Sequence, residues 1–224
     1  MRYQIFNGFV LKMVMAIFMV FDHIAQFIPG TPYWFHWLGR LVAPIFIFLL
    51  TEGYIHTSDT KTYMKRLFTW AAIMFVGNSI VWLFFRRDVS IPNNIFFSMA
   101  LGIAFLINVE KDDRNRLMIF IILLLSAFAE GSLMVTALVF IFHFFKNDKV
   151  RLSLAYIIVS AIFIQGGFTY ENLFIENPQW MMVFALPFIL MYNGKRGPNI
   201  KYFFYIFYPV HIWILYILGY FMVK

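Results

Sequence analysis

Residues Leu11 to Ile24 read LKMVMAIFMVFDHI, an apolar run that carries a cation, a carboxylate and an imidazole: Lys12, Asp22 and His23. An ionisable side chain inside a lipid-embedded segment costs several kcal/mol unless paired or hydrated, so each is a candidate for chemistry. On an α-helix Lys12 and His23, eleven positions apart, fall about 20° from one another and about 16 Å apart along the axis. Asp22 and Gln26 lie on the same side of the wheel. The stripe therefore sets a cation near one membrane surface and an imidazole three turns deeper. Histidine beside a carboxylate suits proton transfer. Adjacent helical residues point about 100° apart, so Asp22 is expected to act on His23 by charge and not by a direct hydrogen bond. The plain alternatives are that Lys12 snorkels to the interface and that Asp22 pairs with Arg40.

Two further runs carry polar residues. GRLVAPIFIFLLTEGYIH contains Arg40, Pro44, Glu52 and His56, with Glu52 and His56 one turn apart. FYIFYPVHIWILY places His211 just after Pro209, with Tyr208 on the same face. His36 and His143 stand among aromatics at run ends and read as interfacial, and Glu130 sits in the short turn AEGS. There is no Gly-rich phosphate loop, no HExxH and no nucleophile elbow. Cysteine is absent, which excludes disulfides, thiolate metal sites and a cysteine acyl-enzyme. No metal is expected.

The elements that position these groups must be membrane helices. The 224 residues are 62% hydrophobic and only 13% charged, against about 25% charged in a soluble domain. Nine apolar runs lie at roughly 9–28, 38–56, 67–85, 94–109, 117–129, 132–145, 152–167, 180–193 and 203–222. The fifth and sixth are short for a hydrocarbon core of about 30 Å. The gaps are too short for a separate soluble domain, so residues 1–224 read as one all-α polytopic membrane bundle. The first run, with Asp22, His23 and no small-x-small cleavage pattern, is not a signal peptide.

Basic residues set the orientation. The second, fourth, sixth and eighth loops hold Lys61, Lys65 and Arg66; Lys111, Arg114 and Arg116; Lys146, Lys149 and Arg151; and Lys195, Arg196 and Lys201. With Arg2 and Lys12, 14 of the 18 basic residues fall on one side, while the odd loops hold Arg86 and Arg87. By the positive-inside rule the amino terminus and even loops are cytoplasmic and Lys224 is outside. The net charge of +7 is thus a topology signal, and nucleic-acid binding is not expected. Tyr33, Trp34, Trp37, Trp70, Trp82, Trp180 and Trp213 lie near run ends and read as an aromatic belt.

The stretches LKMVMAIFMVFDHI, GRLVAPIFIFLLTEGYIHTSDTKTYMKRL and MYNGKRGPNIKYFFYIFYPVHIWILYIL together resemble the TraX family of membrane proteins, over residues 11–218. The chain departs from the family pattern in GNSIVWLFF, which lacks a proline, and in AEGS, which replaces an Asp-Tyr-Gly turn. A basic residue, ten residues and then histidine is also similar to the signature of the larger acyltransferase-three membrane family; here that spacing falls on Lys12 and His23. The resemblance implies an acetyltransferase of the bacterial cytoplasmic (inner) membrane that uses acetyl-CoA as donor. Its acceptor would be an amine or hydroxyl of a pilin-like protein, a peptide or a glycan.

On that reading the donor's phosphates rest against Lys12, Lys65, Arg66, Lys195 and Arg196 at a cytoplasmic mouth. His23, assisted by Asp22, takes the acceptor's proton, or His23 or His211 briefly carries the acetyl group. Arg40 balances Asp22 or stabilises the oxyanion, and Glu52 orients a substrate. A proton-coupled transporter would also bury Asp, His and Glu in a bundle, but the chain shows no inverted repeat. Oligomeric state is left open.

Overall fold

The computed structural model describes residues 4–86, 88–91 and 93–223. Arg2, Arg87 and Lys224, used above to orient the chain, lie outside the described residues. Among the described residues all regular structure is helical, apart from one isolated parallel bridge between Phe6 and Tyr192. The order is α1 (Gly8–Phe27), α2 (Phe35–Ile55), α3 (Thr60–Phe84), α4 (Ile95–Val109), α5 (Arg116–Phe128), α6 (Ser132–Phe144) and α7 (Lys149–Ala161). A π-turn (Asn172–Glu176), a 3-10 helix (Pro178–Ala185), the short α8 (Leu186–Leu190) and the long α9 (Lys201–Val223) follow.

Each apolar run in the sequence overlaps helical structure, although the seventh continues past the end of α7 and the eighth spans the 3-10 helix and α8. Four helices, Gly8–Phe27, Phe35–Ile55, Thr60–Phe84 and Tyr202–Val223, are long and apolar enough to cross a membrane. The shorter apolar ones, such as the 13-residue α5 and α6, extend about 20 Å, less than a hydrocarbon core. Helix starts follow local chemistry: the side chains of Asn7, Asp59, Asn115 and Asp148 each accept a backbone N–H of the first turn. Pro44 lies within α2 without breaking it.

α2 is the most deeply buried of the long helices and packs against α1, the 3-10 helix and α6. α9 rests on α1 and α3, so the segments that bear His23, Arg40 and His211 share one interior. The core is built from Leu11, Met15, Ile45, Ile47, Met74, Leu106 and Ile212, each nearly inaccessible. α3 instead turns Phe75, Ile80, Leu83 and Phe84 outward, as a lipid-facing helix does. Phe27, Phe48, Phe96 and Phe142 are buried among the helices.

Candidate functional site

One cavity of about 580 Å³ runs along the polar face of α1, within the range of about 300–1,000 Å³ usual for small-molecule sites. Lys12 and His23 both line it, so it extends at least three helical turns, about 16 Å. Its polar lining is divided. Lys12, Arg66, Arg196 and His56 line one end, and Asp22, His23 and Glu130 the other, with Glu52 on the α2 wall.

At the deep end two buried imidazoles meet. His23 Nδ1 lies 2.7 Å from His211 Nε2, and the rings are 6% and 8% exposed. The other ring nitrogen of His211, Nδ1, donates to the Phe207 carbonyl at 2.7 Å. His23 Nε2 faces the Asn93 side-chain amide at 3.5 Å. Asn93 in turn exchanges two hydrogen bonds with Gln26 from the next turn of α1, at 3.1 and 3.3 Å. The segment that carries Asn93 is fixed by Asn78 of α3, whose Nδ2 donates to the carbonyls of Ile91 and Asn93 at 3.2 and 2.8 Å. Trp213 of α9 donates its indole N–H to Asn78 Oδ1 at 2.8 Å, so α3 and α9 together hold the segment against His23.

Asp22 turns its hydrogen-bonding capacity away from His23. Its carboxylate accepts from His36 Nδ1 at 2.7 Å and from the Arg40 guanidinium at 3.3 and 3.5 Å. Arg40 also reaches Gln179 Oε1 and the His36 carbonyl at 3.0 and 3.1 Å. The position of the Asp22 carboxylate depends on Gly39, since a Cβ there would stand 2.2 Å from the Asp22 carboxyl carbon. Glu130, from the turn between α5 and α6, lines the cavity and accepts the backbone N–H of Asn94 at the start of α4. Among the described residues no cation pairs with it.

The basic end is built by the loop YNGKRGPN, which folds over the start of α1. Gly8 N donates to the Lys195 carbonyl at 2.8 Å and Asn193 N to the Phe6 carbonyl at 2.9 Å. Gly197, at φ 72°, sits where a Cβ would be 2.8 Å from Phe9 Cβ. This clamp sets Arg196 at the mouth, its guanidinium on Asn199 Oδ1 at 2.6 Å. Arg66 is held between the rings of Tyr63 and Tyr205 and donates to the Tyr205 hydroxyl at 3.3 Å. Lys12 lies 5.8 Å from the Phe204 ring centroid.

The fold thus brings Lys12, Asp22, His23, Glu52, Arg66 and Arg196 onto one cavity. Lys65 and Lys195 do not line it, because Lys65 is on the exposed side of α3 and Lys195 turns outward where its carbonyl clamps α1. Arg40 stands behind Asp22 and His211 behind His23, neither lining the cavity. Three residues read as interfacial make specific side-chain contacts. His36 is a ligand of Asp22, His143 Nε2 pairs with Glu110 at 2.7 Å beside the Tyr54 hydroxyl, and Trp213 belongs to the Asn78 network. Asn78 and Asn93 went unseen in the sequence, because uncharged amides carry no spacing signal and their partners lie up to 135 residues away.

An all-helical membrane protein with a basic-mouthed cavity ending at a buried histidine pair is the class that fold and site define. The profile of the family described as TraX protein matches residues 7–219, and the chain belongs to that family. It is also similar to the "Probable fimbrial assembly protein FimC, serogroup H1" of Dichelobacter nodosus, 26% identical over 233 residues and 94% of each chain. No solved structure matches the chain.

Proposed function

We propose that the protein is an acetyl-CoA-dependent acetyltransferase of the bacterial inner membrane. The observation that carries this reading is the single cavity joining Lys12, Arg66 and Arg196 to His23. The donor's phosphates suit the cationic end, where aromatic walls lower the local dielectric and strengthen charge-assisted contacts. The pantetheine arm follows the polar face of α1 and delivers the thioester beside His23. There the acceptor amine or hydroxyl attacks the thioester carbonyl, forming the new C–N or C–O bond, and gives its proton to His23. The C–S bond breaks with its electron pair on sulfur, which takes the proton back from His23 to leave free CoA. Glu130, the carboxyl group at that end that no cation pairs with among the described residues, suits a hydrogen bond to the acceptor's N–H or O–H. Asp22, oriented by His36 and Arg40, supports His23 by charge.

On the reading of nine membrane passages with a cytoplasmic amino terminus, the basic mouth faces the side of the donor. The acceptor then lies across the bilayer, as an assembling fimbrial or pilin-like subunit would, in keeping with the name of the relative.

The test is acetyl-CoA binding to the purified protein in detergent. Lys12→Ala is expected to weaken binding about 10- to 100-fold, the worth of a charge-assisted contact. His23→Ala is expected to bind donor normally and to release no CoA, which a thiol reagent reports without background because the protein has no cysteine. No binding by a folded wild type would overturn the reading in favour of a transporter.

A further inference from the structure

We infer that His211 is a positioning residue that fixes the tautomer of His23, and that the basic nitrogen of the site is therefore His23 Nε2, capped at rest by Asn93. The inference rests on the acetyltransferase reading for its kinetic consequence but not for the assignment itself. A carbonyl oxygen can only accept, so the 2.7 Å contact between His211 Nδ1 and the Phe207 carbonyl requires a proton on Nδ1. A neutral His211 is then left with an unprotonated Nε2. That nitrogen is 2.7 Å from His23 Nδ1, which must donate to it. No carboxylate touches either ring among the described residues, so nothing pairs a buried imidazolium there, and both rings are neutral. Neutral His23 with its proton on Nδ1 carries its lone pair on Nε2.

The far side of His23 closes the same account. Asn93 Nδ2 has two hydrogens, one for Gln26 Oε1 and one directed to His23 Nε2, while Asn93 Oδ1 accepts from Gln26 Nε2. Flipping the Asn93 amide would set its oxygen against the lone pair. The hydrogen bonds therefore run in one direction, from Asn93 through His23 and His211 to the Phe207 carbonyl. Their weakest link is the 3.5 Å contact to Nε2, at the limit of a hydrogen bond. An acceptor N–H or O–H that replaces Asn93 there finds a base already in the reactive tautomer. The acceptor accordingly meets His23 from the side of the segment between α3 and α4, opposite the basic mouth. In the transfer step Nε2 takes the proton and Nδ1–H stays on His211, which supports the imidazolium that forms.

Histidine-selective 15N NMR of the detergent-solubilised protein tests the assignment without any substrate. The expected wild-type spectrum has His23 protonated at Nδ1 and bare at Nε2. His211→Gln keeps an acceptor near the position of Nε2 and should preserve that tautomer; His211→Leu should return His23 to Nε2–H. A wild-type His23 found as Nε2–H, or as imidazolium at neutral pH, would overturn the inference. Acetyl transfer to a short peptide with a free amino terminus then reads the consequence. His211→Leu should lower kcat at least about 100-fold with the KM for acetyl-CoA unchanged, a smaller loss than the roughly 10⁴ known for a wrong tautomer in a serine protease, and His211→Gln should restore most of it. Unchanged kcat in His211→Leu would overturn the positioning role. A wild type that shows the tautomer yet transfers nothing would count against acetyl transfer and leave the assignment standing.

Discussion

The carboxylate of Asp22 sits where no other residue than glycine could face it. A methyl group at position 39 would lie 2.2 Å from its carboxyl carbon and 2.3 and 2.6 Å from its two oxygens. Gly39→Ala must therefore push Asp22 off His36 and Arg40, leaving a guanidinium and an imidazole without their acceptor. We expect a destabilisation of about 1–3 kcal/mol by thermal unfolding in detergent, together with a loss of transfer activity. Donor binding, seated three turns away at Lys12, should stay within about twofold, the limit expected of independent sites. The pairing of Asp22 with Arg40 was legible in the sequence, because two opposite charges at like depth in neighbouring helices have few other solutions. His36 was not, since a histidine among aromatics at a helix end looks the same whether it meets headgroups or a carboxylate. The rotation of α2 about its axis decides that, and only packing fixes the rotation.

At the scale of elements, the apolar runs located the helices and the capping residues explain where they begin. Their lengths were less legible: α7 stops at Ala161, and the eighth run is a 3-10 helix leading into the five-residue α8. Two glycines at positive φ, Gly166 and Gly167, and the donors Tyr33, Trp37 and Trp180, which bind the Ile175, Phe174 and Leu173 carbonyls, shape that region. Those contacts span up to 142 residues and leave no local pattern. α3 shows what the sequence concealed in GNSIVWLFF: at Gly77 a Cβ would meet the Trp213 ring at 2.0 Å, and Asn78 beside it ties that indole to the segment before α4. Asn78→Ala removes two bonds to backbone carbonyls and one from Trp213. Amide exchange around residues 88–95 should quicken at least tenfold, an opening easier by about 1.4 kcal/mol, and transfer should fall while acetyl-CoA binding persists. Unchanged exchange would mean that the segment is held by other contacts.

For the whole molecule, direction is the property on which the proposed chemistry depends. A donor made inside the cell must reach Lys12, Arg66 and Arg196, so the proposal needs the even-numbered connections to face the cytoplasm, the side that the positive-inside rule expects for their lysines and arginines. The absence of native cysteine makes the question direct, because each introduced thiol is the only one in the chain for a membrane-impermeant maleimide to label, and the chain is then isolated from the treated cells. Exposed Ser58 between α2 and α3 and Asn147 between α6 and α7 should be protected as cysteines until the membrane is opened. Ser90 between α3 and α4 and Glu171 after α7, also exposed, should label from outside at once. The pattern tests more than a count of passages. Ser90 lies three residues before Asn93, on the side from which the acceptor is inferred to approach. If Ser90→Cys labels from outside and Ser58→Cys does not, the connection that carries Asn93 and the connection beside the basic mouth lie on opposite faces of the membrane, as transfer across the bilayer requires. If both label from the same side, donor and acceptor must share an entrance, and Asn93 would guard the base without marking a second route to it.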